Sequence, residues 1–488
     1  MNPTFDFHAL APDLVLAATI VLALAAEMLA GERRSTIVPR IAAVGVLVAI
    51  IPIATLAVDG VDRSMFGGAY VVDNYALALK GFFLVAAWVT ILMSIDYVQR
   101  GDYREGEFYF LLLVSVLGMS IMASSRDLIT LFVALETISI PTYVLAGFRK
   151  YDRRSNEAAI KYYLIGVLSS AVMLYGMSII FGITASTKLG DIADWASAND
   201  APPLLTVAIF LAIVGFAFKV SAVPFHFWAP DTYEGAPTPV TAFLSVASKA
   251  GGFVAMLNIV FFGFYSAANS WWPVVWVLAA ASMTLGNLAA LRQTNIVRML
   301  AYSSIAQGGF ILVPFAAAGI AGGDIAAASD AFSAVVVYLL IYGAMNLGAF
   351  AVVIAIGKSE ISDYAGLFRT SPGLSVVMAV FMASLAGIPP LAGWYAKFAM
   401  FRATLSAGGG WAVTLAAIAA VNSVIAFFYY SGVIRQMFFE EPATEAVGPV
   451  RVPPALTAAL AVCTILTVAV GIYPQLFAQV GEYATRLT

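Results

Sequence analysis

The stretch FAFKVSAVPFHFWAP, residues 216–230, places a lysine, a histidine and two prolines inside an apolar run. Lys219 resists burial in hydrocarbon because it is charged, and Pro224 lacks a backbone N–H and clashes with the preceding helical turn. A helix that carries both is expected to be discontinuous, and inside a bilayer a break survives only where protein or water satisfies the freed backbone groups. Water at the break would also solvate the lysine, so the stretch predicts a broken, hydrated membrane helix.

The composition of the chain places this stretch in a membrane protein. The chain has 488 residues, of which 61% are hydrophobic and 11% are charged, whereas a soluble chain of this length needs a larger polar surface. The net charge of −3 implies no nucleic-acid partner. The single cysteine, Cys463, rules out a disulfide framework or a cysteine-rich metal site. No signal peptide is expected, because the first apolar run lacks a basic leader and a small-residue cleavage site.

Fourteen apolar stretches are long enough to cross about 30 Å of hydrocarbon. They are predicted near residues 11–30, 37–58, 74–98, 107–123, 127–148, 157–184, 203–229, 238–264, 272–291, 295–320, 329–356, 373–400, 411–437 and 455–478. The predicted fold class is therefore an all-α polytopic membrane protein with about 14 transmembrane helices.

The distribution of basic residues predicts the orientation of these helices. An even number of spans puts both termini on one side of the membrane. The connections on the opposite side carry sixteen Lys and Arg residues, against five on the terminal side. Because basic residues are enriched in cytoplasmic loops, both termini are predicted to be periplasmic, in a bacterial inner membrane.

Four lysines lie within the predicted spans, although the chain has 17 arginines and only 8 lysines. They are Lys80, Lys219, Lys249 and Lys397. Arginine stays protonated under nearly all conditions, whereas a desolvated lysine can lose its proton near neutral pH. This choice of residue favours groups that alternate between a charged and a neutral form. For Lys80, about two turns from the end of its span, a structural ion pair or a snorkelling side chain remains an open interpretation.

Glu136, about ten residues into the fifth span, and His226, just after the Pro224 break, are further candidates. Charges in mid-membrane cost at least a few kcal/mol and usually mark ion or proton paths. Glu136 is therefore predicted to transfer protons together with the three mid-span lysines, with structural ion pairs as the alternative. His226 is either a proton-relay member or a polar cap of the broken helix. Asp231 and Glu234, in the loop after the seventh span, are expected to cap helices or to tie loops together.

A second copy of the opening pattern occurs in MASLAGIPPLAGWYAKFAMF, residues 382–401. Pro389 and Pro390 break this span, a tryptophan follows four residues later as it does after Pro224, and Lys397 lies within a few turns. The two copies predict repeated five-span units, spans 4–8 and spans 9–13, which are inverted because five is an odd number. The predicted divisions are N-terminal helices 1–106, first repeat 107–270, second repeat 271–440 and last helix 441–488.

Two motifs carry a resemblance to a known family. PFHFWAPDTYEGAPTPVTAFLSVASKAGGF (224–253) and GIPPLAGWYAKF (387–398) resemble the antiporter-like subunits of respiratory complex I, the NADH-quinone oxidoreductase. The first motif is most similar to the branch that contains mitochondrial subunit 2. The resemblance runs the length of the chain, with Trp394 where phenylalanine is more often expected.

The resemblance implies a membrane-arm subunit that moves protons while quinone is reduced elsewhere in the complex. It assigns proton transfer to Glu136, Lys219, Lys249 and Lys397. A Glu136 carboxylate near Lys219 would favour the charged lysine, and a signal that separates the two would release its proton. Lys249 would accept this proton through water, and Lys397 would pass it to the terminal side.

The expected partners are the other membrane-arm subunits, membrane lipids, protons and water. The sequence has no cysteine cluster, no glycine-rich dinucleotide loop and no paired histidines for haem. No cofactor or metal is therefore expected on this chain, and FMN, iron–sulfur clusters and quinone are expected on partner subunits. Three alternatives remain open at this stage: a subunit of a multisubunit Na⁺/H⁺ antiporter, a subunit of a membrane-bound hydrogenase, and a passive membrane scaffold.

Overall fold

The computed structural model describes residues 5–30, 37–60, 62–101, 103–441 and 449–484. The helices of the first half are α1 Phe7–Ala30, α2 Ile37–Val48, α3 Ile50–Asp59, α4 Asn74–Arg100, α5 Glu105–Ser124, α6 Leu128–Ala146, α7 Arg153–Thr184, α8 Leu189–Ala198, α9 Pro203–Lys219, α10 Trp228–Gly235, α11 Thr238–Phe243 and α12 Lys249–Gly263. Those of the second half are α13 Trp272–Ala290, α14 Ile296–Ile320, α15 Ile325–Ile356, α16 Leu367–Thr370, α17 Pro372–Ala386, α18 Ala392–Ser406, α19 Gly409–Phe439, α20 Pro454–Ile472 and α21 Gln475–Ala484.

Shorter elements connect these helices. The strands β1 Arg63–Met65 and β2 Tyr70–Val72 pair as an antiparallel hairpin. A π-helical turn, Leu244–Ser248, joins α11 to α12. Short 3₁₀ turns lie at Phe66–Gly68, Ala268–Ser270 and Ile361–Tyr364.

The helices confirm the predicted membrane fold. In the described part of the chain, 12 helical segments are long and apolar enough to cross a membrane, and α2 with α3 and α11 with α12 each count as one. The shorter apolar helices α9 and α17 are the first halves of the two predicted broken spans. The predicted end of the last span at residue 478 is wrong. Helix α20 ends at Ile472, before Pro474, and α21 is a separate helix, because proline cannot donate the backbone bond that would continue α20.

The second helix of each five-span unit begins with the same kind of cap. The side chain of Asp127 caps α6 by accepting hydrogen bonds from two backbone N–H groups in its first turn, and Asn295 caps α14 in the same way. Asp127 also forms an isolated bridge with Lys188, and Asn295 forms one with Glu360. Each cap thus ties the start of its helix to the connection that follows the next span of its own unit.

Close helix packing is also repeated between the two units. A Cβ atom on Gly118 of α5 would lie 2.9 Å from the backbone nitrogen of Ile138 on α6, and one on Gly286 of α13 would lie 2.7 Å from that of Ala306 on α14. Real Cβ atoms essentially never come this close to backbone atoms. Glycine at these two positions therefore lets the first two helices of each unit approach closely.

The two helix breaks share their backbone geometry. Ser221 after α9 and Gly387 after α17 both have positive φ, 57° and 93°. In each case the next amide turns back to the carbonyl five residues earlier, from Ala222 at 2.8 Å and from Ile388 at 3.0 Å. The breaks are therefore ordered caps of half-helices, as expected where irregular backbone must be satisfied inside a membrane.

The centre of the molecule is formed by the eighth, tenth and eleventh spans. Nearly every residue of α11–α12, α14 and α15 is buried by other helices. Helices such as α1, α7 and α19 expose large apolar side chains on their outer faces instead. Because α12 belongs to the first unit and α14 to the second, the two repeats meet on this central layer.

Candidate functional site

Lys219 is the last residue of the half-helix α9 and is 1% exposed. Its ammonium donates hydrogen bonds to the Ser139 hydroxyl at 2.9 Å and the Tyr162 hydroxyl at 3.3 Å. The negative end of the α9 dipole adds to the stabilisation of a cation at this position. On its other side, the lysine stem packs against Gly252 of α12, one turn after Lys249.

Trp228, four residues after Pro224, packs against the end of α9 that carries Lys219. Its ring stacks on that of Tyr162, with centroids 4.2 Å apart. Its indole N–H donates to the carbonyl of Phe218, next to Lys219, at 3.2 Å. The chain beyond the break thus folds back over the end of α9 and fixes the environment of the lysine.

Glu136 lies near Lys219 along α6 but does not form an ion pair with it. The hydroxyl of Ser170 donates to the Glu136 carboxylate at 2.5 Å. Ser139, one turn along α6 from Glu136, is the residue that contacts the lysine. A serine of the same helix thus contacts Lys219 directly, and the expectation that the nearby Glu136 carboxylate favours the charged lysine stays a prediction.

Lys249 follows the π-helical turn and is 2% exposed. Its ammonium donates to the carbonyl of Ser304 at 2.9 Å and also to the Ser304 hydroxyl. Ser304 belongs to α14, so this contact joins the first repeat to the second. The π turn changes the helical register just before the lysine, and such turns recur at functional sites.

Lys397 points back from α18 to the other half of its broken span. Its ammonium donates to the carbonyl of Ala386, the last residue of α17, at 2.8 Å. It lies 5.0 Å from the ring centroid of Phe310. Gly387 makes room for the lysine stem, because a Cβ atom there would lie 2.8 Å from Lys397 Cδ. The Lys397 ammonium thus lies at the C-terminal end of the half-helix α17, as Lys219 lies at the C-terminal end of α9. In the sequence, Lys397 follows its helix break, whereas Lys219 precedes its own.

Gln307 of α14 lies between the contacts of Lys249 and Lys397, and sequence reasoning missed it. Its amide nitrogen donates to the Leu385 carbonyl at 3.1 Å and to the Tyr430 hydroxyl at 3.2 Å. Its amide oxygen accepts from Tyr338 at 2.7 Å. Polar residues in the apolar run around Ser304 and Gln307 were the signal that would have identified this helix.

His226 is buried within the segment between the two halves of the first broken span. Its Nδ1 has no hydrogen-bond partner among the described residues, and none of its described hydrogen bonds reaches Lys219, Lys249 or Lys397. Its ring packs on that of Phe227, with centroids 4.5 Å apart. The choice between relay and cap therefore stays open.

Asp231 and Glu234 tie α10 to neighbouring helices, as the sequence predicted. Asp231 pairs with Lys161 of α7 at 2.7 Å and with Arg298 at the start of α14 at 3.0 Å, and Arg298 also pairs with Glu234 at 2.7 Å. The sequence predicts Asp231 in the loop after the seventh span, outside the membrane-spanning segments. Partial burial opposes ionisation, but the hydrogen bonds from Lys161 and Arg298 outweigh it and lower the pKa of the Asp231 carboxyl below its ordinary value.

Lys80 belongs to a separate buried network. Its ammonium donates to Asp13 of α1 at 2.9 Å and to the Tyr70 hydroxyl at 2.7 Å. Asp13 also accepts from the hydroxyls of Tyr70 and Ser120. The structural ion pair is therefore the interpretation that the geometry supports for Lys80, and snorkelling is wrong because the side chain is fully buried.

Several buried polar atoms near the site have no hydrogen-bond partner in the described part of the protein. They include the hydroxyl oxygens of Tyr233, Tyr342 and Ser221 and the amide oxygen of Asn346. Buried polar groups are normally satisfied by protein or by ordered water. These atoms therefore identify positions where water would be bound.

The chain matches a known family over most of its length. The profile described as NADH:quinone oxidoreductase/Mrp antiporter, TM, matches residues 125–425. NADH-quinone oxidoreductase subunit N of Trichlorobacter lovleyi is 42% identical over 435 residues, which cover 88% of this chain and 87% of that protein.

Solved structures share the fold. A chain of respiratory complex I from Thermus thermophilus with bound aureothin is similar with a TM-score of 0.80 at 32% identity, covering 96% of this chain and 98% of that chain. A chain of the Mrp complex from Dietzia sp. DQ12-45-1b is similar with a TM-score of 0.83 at 21% identity, covering 99% and 97%. At this lower identity, the Mrp match indicates a common fold only.

Proposed function

The chain belongs to the NADH:quinone oxidoreductase/Mrp antiporter family, and from this membership we propose that it is a proton-translocating membrane-arm subunit of NADH-quinone oxidoreductase. The resemblance predicted from the two motifs is confirmed by relatives that are named subunit N of that enzyme. Its partners are the other subunits of the complex. Quinone reduction and the FMN and iron–sulfur chemistry take place on those partners in this proposal.

One observation carries the proposal: three buried ammonium groups have neutral partners. Among the described residues, Lys219, Lys249 and Lys397 form no salt bridge within 4.0 Å, and their hydrogen bonds go to hydroxyl and carbonyl oxygens. Desolvation without a carboxylate partner favours the neutral form of a lysine. These groups are therefore suited to binding and releasing protons, in contrast to Lys80, which is held by Asp13.

Hydrogen bonds and packing contacts support a proposed route in two halves. In the first repeat, Lys219 donates a hydrogen bond to Ser139, which lies one turn along α6 from Glu136. The Lys219 stem packs against α12, whose first residue is Lys249. Lys249 then contacts the second repeat through Ser304.

The second half of the route continues along α14. Gln307, one turn after Ser304, donates to the Leu385 carbonyl, and the next carbonyl along the chain accepts from Lys397. Water at the unpartnered hydroxyl and amide oxygens described above would bridge the gaps between these contacts.

Lys219 acts as the switch of this route. Glu136 favours the charged lysine, while burial favours the neutral one. A signal from the partner subunits that moves Glu136 or turns Ser139 away shifts the balance, and Lys219 releases its proton toward Lys249. Lys397 releases the proton to the terminal side, which the distribution of basic residues predicts to be periplasmic.

The proposal is tested with Lys219→Met and Glu136→Gln in the assembled complex. NADH-driven proton translocation into sealed vesicles is measured per electron transferred, with Lys80→Met as a control that also removes a buried lysine. Both site variants should translocate markedly fewer protons per electron than the control. Unchanged translocation in both site variants would remove this chain from the proton path.

A sodium/proton antiporter subunit is the second candidate, since the same family includes Mrp antiporters. The higher identity to subunit N, 42% against 21% for the Mrp chain, favours the oxidoreductase. Sodium-dependent proton exchange in the absence of NADH would support the antiporter instead.

A further inference from the structure

A cleft of about 770 Å³ opens where α5 begins and α6 is connected to α7. It is lined by Tyr103, Arg104, Glu107, Phe148, Arg149, Lys150, Tyr151, Asp152 and Arg153, which we name the basic cleft. Its volume lies within the roughly 300–1,000 Å³ typical of pockets that hold small molecules. We propose that the basic cleft binds the phosphate headgroup of an anionic phospholipid whose acyl chains lie along α6 and α7.

The cations of the basic cleft are only partly neutralised. Arg104 and Lys150 share the single carboxylate of Glu107, at 3.5 and 3.8 Å. Asp152 lies 3.8 Å from Arg149, and its other oxygen accepts from a backbone N–H at the start of α7. With four basic and two acidic side chains, the cleft has a net charge of +2.

A nearby cluster shows that the fold can neutralise basic side chains when it needs to. Arg154, Lys161 and Arg298 line a second cleft together with Glu157, Asp231 and Glu234. Their closest ion pairs are 2.6–2.7 Å long, and the three positive charges are balanced by three negative ones. The excess charge of the basic cleft is therefore a local property, not a general feature of this face.

Aromatic contacts hold the floor of the basic cleft in place. The ring of Tyr103 stacks on that of Tyr97, with centroids 6.1 Å apart, and Arg149 donates to the Tyr97 hydroxyl. Phe148 packs against Phe108 and Tyr103 at 5.6 and 5.9 Å. A pre-formed concave wall lowers the entropy lost when a headgroup binds.

The surface next to the cleft favours a lipid over a free phosphate ion. Val144, four residues before Phe148, is 52% exposed, and Ile160 of α7 is 58% exposed. Ile160 lies roughly 10 Å along the helix from Arg153. Exposed apolar side chains thus begin within about two helical turns of the cations, on helices long and apolar enough to cross a membrane. Basic pockets between membrane helices on the cytoplasmic side are suited to anionic headgroups.

The test compares two triple variants of the purified complex. Arg104→Gln, Lys150→Gln and Arg153→Gln remove charge from the basic cleft. Arg292→Gln, Lys358→Gln and Arg369→Gln remove three exposed cations that are predicted on the same side of the membrane. Binding of spin-labelled phosphatidylglycerol is measured for each complex, with phosphatidylcholine as the neutral probe and inorganic phosphate as a competitor.

The cleft variant is expected to bind phosphatidylglycerol roughly 100-fold more weakly, because each basic residue near an anionic lipid surface contributes on the order of fivefold. The control variant should bind phosphatidylglycerol like the wild type. Phosphatidylcholine should bind equally weakly to the wild type, the cleft variant and the control variant. Unchanged phosphatidylglycerol affinity in the cleft variant overturns the proposal. Displacement of the lipid by millimolar phosphate would assign a free-anion site, and loss of a neighbouring subunit from the cleft variant would assign a protein interface; both overturn it as well.

Discussion

Lys249 and Ser304 join the two inverted repeats: the lysine ammonium of the first repeat donates to the Ser304 carbonyl of the second at 2.9 Å. Ser304 lies nine residues after the cap Asn295, and Glu136 lies nine residues after the equivalent cap Asp127. The position that holds the Glu136 carboxylate in the first repeat therefore holds Ser304, an uncharged hydrogen-bond partner of Lys249, in the second. Glu136 therefore has no carboxylate counterpart at the equivalent position of the second repeat.

Replacing Ser304 by alanine tests this contact. The variant keeps the carbonyl but loses the hydroxyl bonded to Lys249, and a hydrogen bond to a charged group contributes about 1.5–3 kcal/mol. The protons translocated per electron should fall, but less than in Lys249→Met. Ser303→Ala is the matched control, because the Ser303 hydroxyl bonds Tyr430 instead. Equal effects of the two serine variants would contradict a specific role for Ser304.

Replacing Gln307 by leucine should loosen the end of the half-helix α17. The variant leaves the Leu385 carbonyl and the Tyr338 hydroxyl without their amide partner, and each unsatisfied buried group costs about 1–3 kcal/mol. The thermal unfolding temperature of the complex and its proton translocation should both fall. Gln293→Leu serves as the control, because Gln293 lies in the connection after α13 and its side-chain amide donates to the Ala289 carbonyl of that adjacent helix. A variant with wild-type stability would show that Gln307 does not anchor the break.

The Asp13–Lys80 pair is predicted to be structural. Lys80→Met alone leaves the buried Asp13 carboxylate without its cation, and breaking a buried pair in this way costs about 3–5 kcal/mol. The double variant Asp13→Leu with Lys80→Met should recover much of that stability. Complexes that assemble with either variant should translocate protons at the wild-type ratio. A reduced ratio in the more stable double variant would place Lys80 in the proton path.

The ion pairs of Asp231 predict a dependence of stability on pH. Because the pKa of Asp231 is lowered in the folded chain, its contribution is fully present above the ordinary carboxyl pKa and is lost as the pH falls through the lower folded value. The stability difference between the wild type and Asp231→Asn should therefore be constant from about pH 8 to about pH 5 and shrink only under more acidic conditions. Thermal unfolding at a series of pH values measures it. A difference that shrinks already near neutral pH would contradict this assignment.

Sequence patterns were sufficient for the helices and for the charged candidates. Apolar length located the spans because the bilayer sets a fixed thickness, and prolines located both breaks because they remove a backbone donor. The mid-span charges were conspicuous because they are costly in hydrocarbon.

The partners of these charges were not predictable from sequence. Ser139, Ser304 and the Ala386 carbonyl contact the lysines through helix packing between segments far apart in the chain. A serine or a backbone carbonyl costs little in a membrane helix, so neither stands out in an apolar sequence. Asp13 was missed for a different reason: it lies near the start of its predicted span, and its pairing with Lys80 and Ser120 depends on the packing of α1 in the folded chain.

The most direct test of the account is the ratio of protons to electrons in sealed vesicles containing the Lys249→Met complex. Lys249 is the contact between the two halves of the proposed route, so its loss interrupts proton transfer through this chain even if both halves stay intact. The account predicts a clearly lower ratio at wild-type assembly, with NADH oxidation retained when the proton gradient is dissipated. A wild-type ratio in this variant would contradict proton transfer from the first repeat to the second.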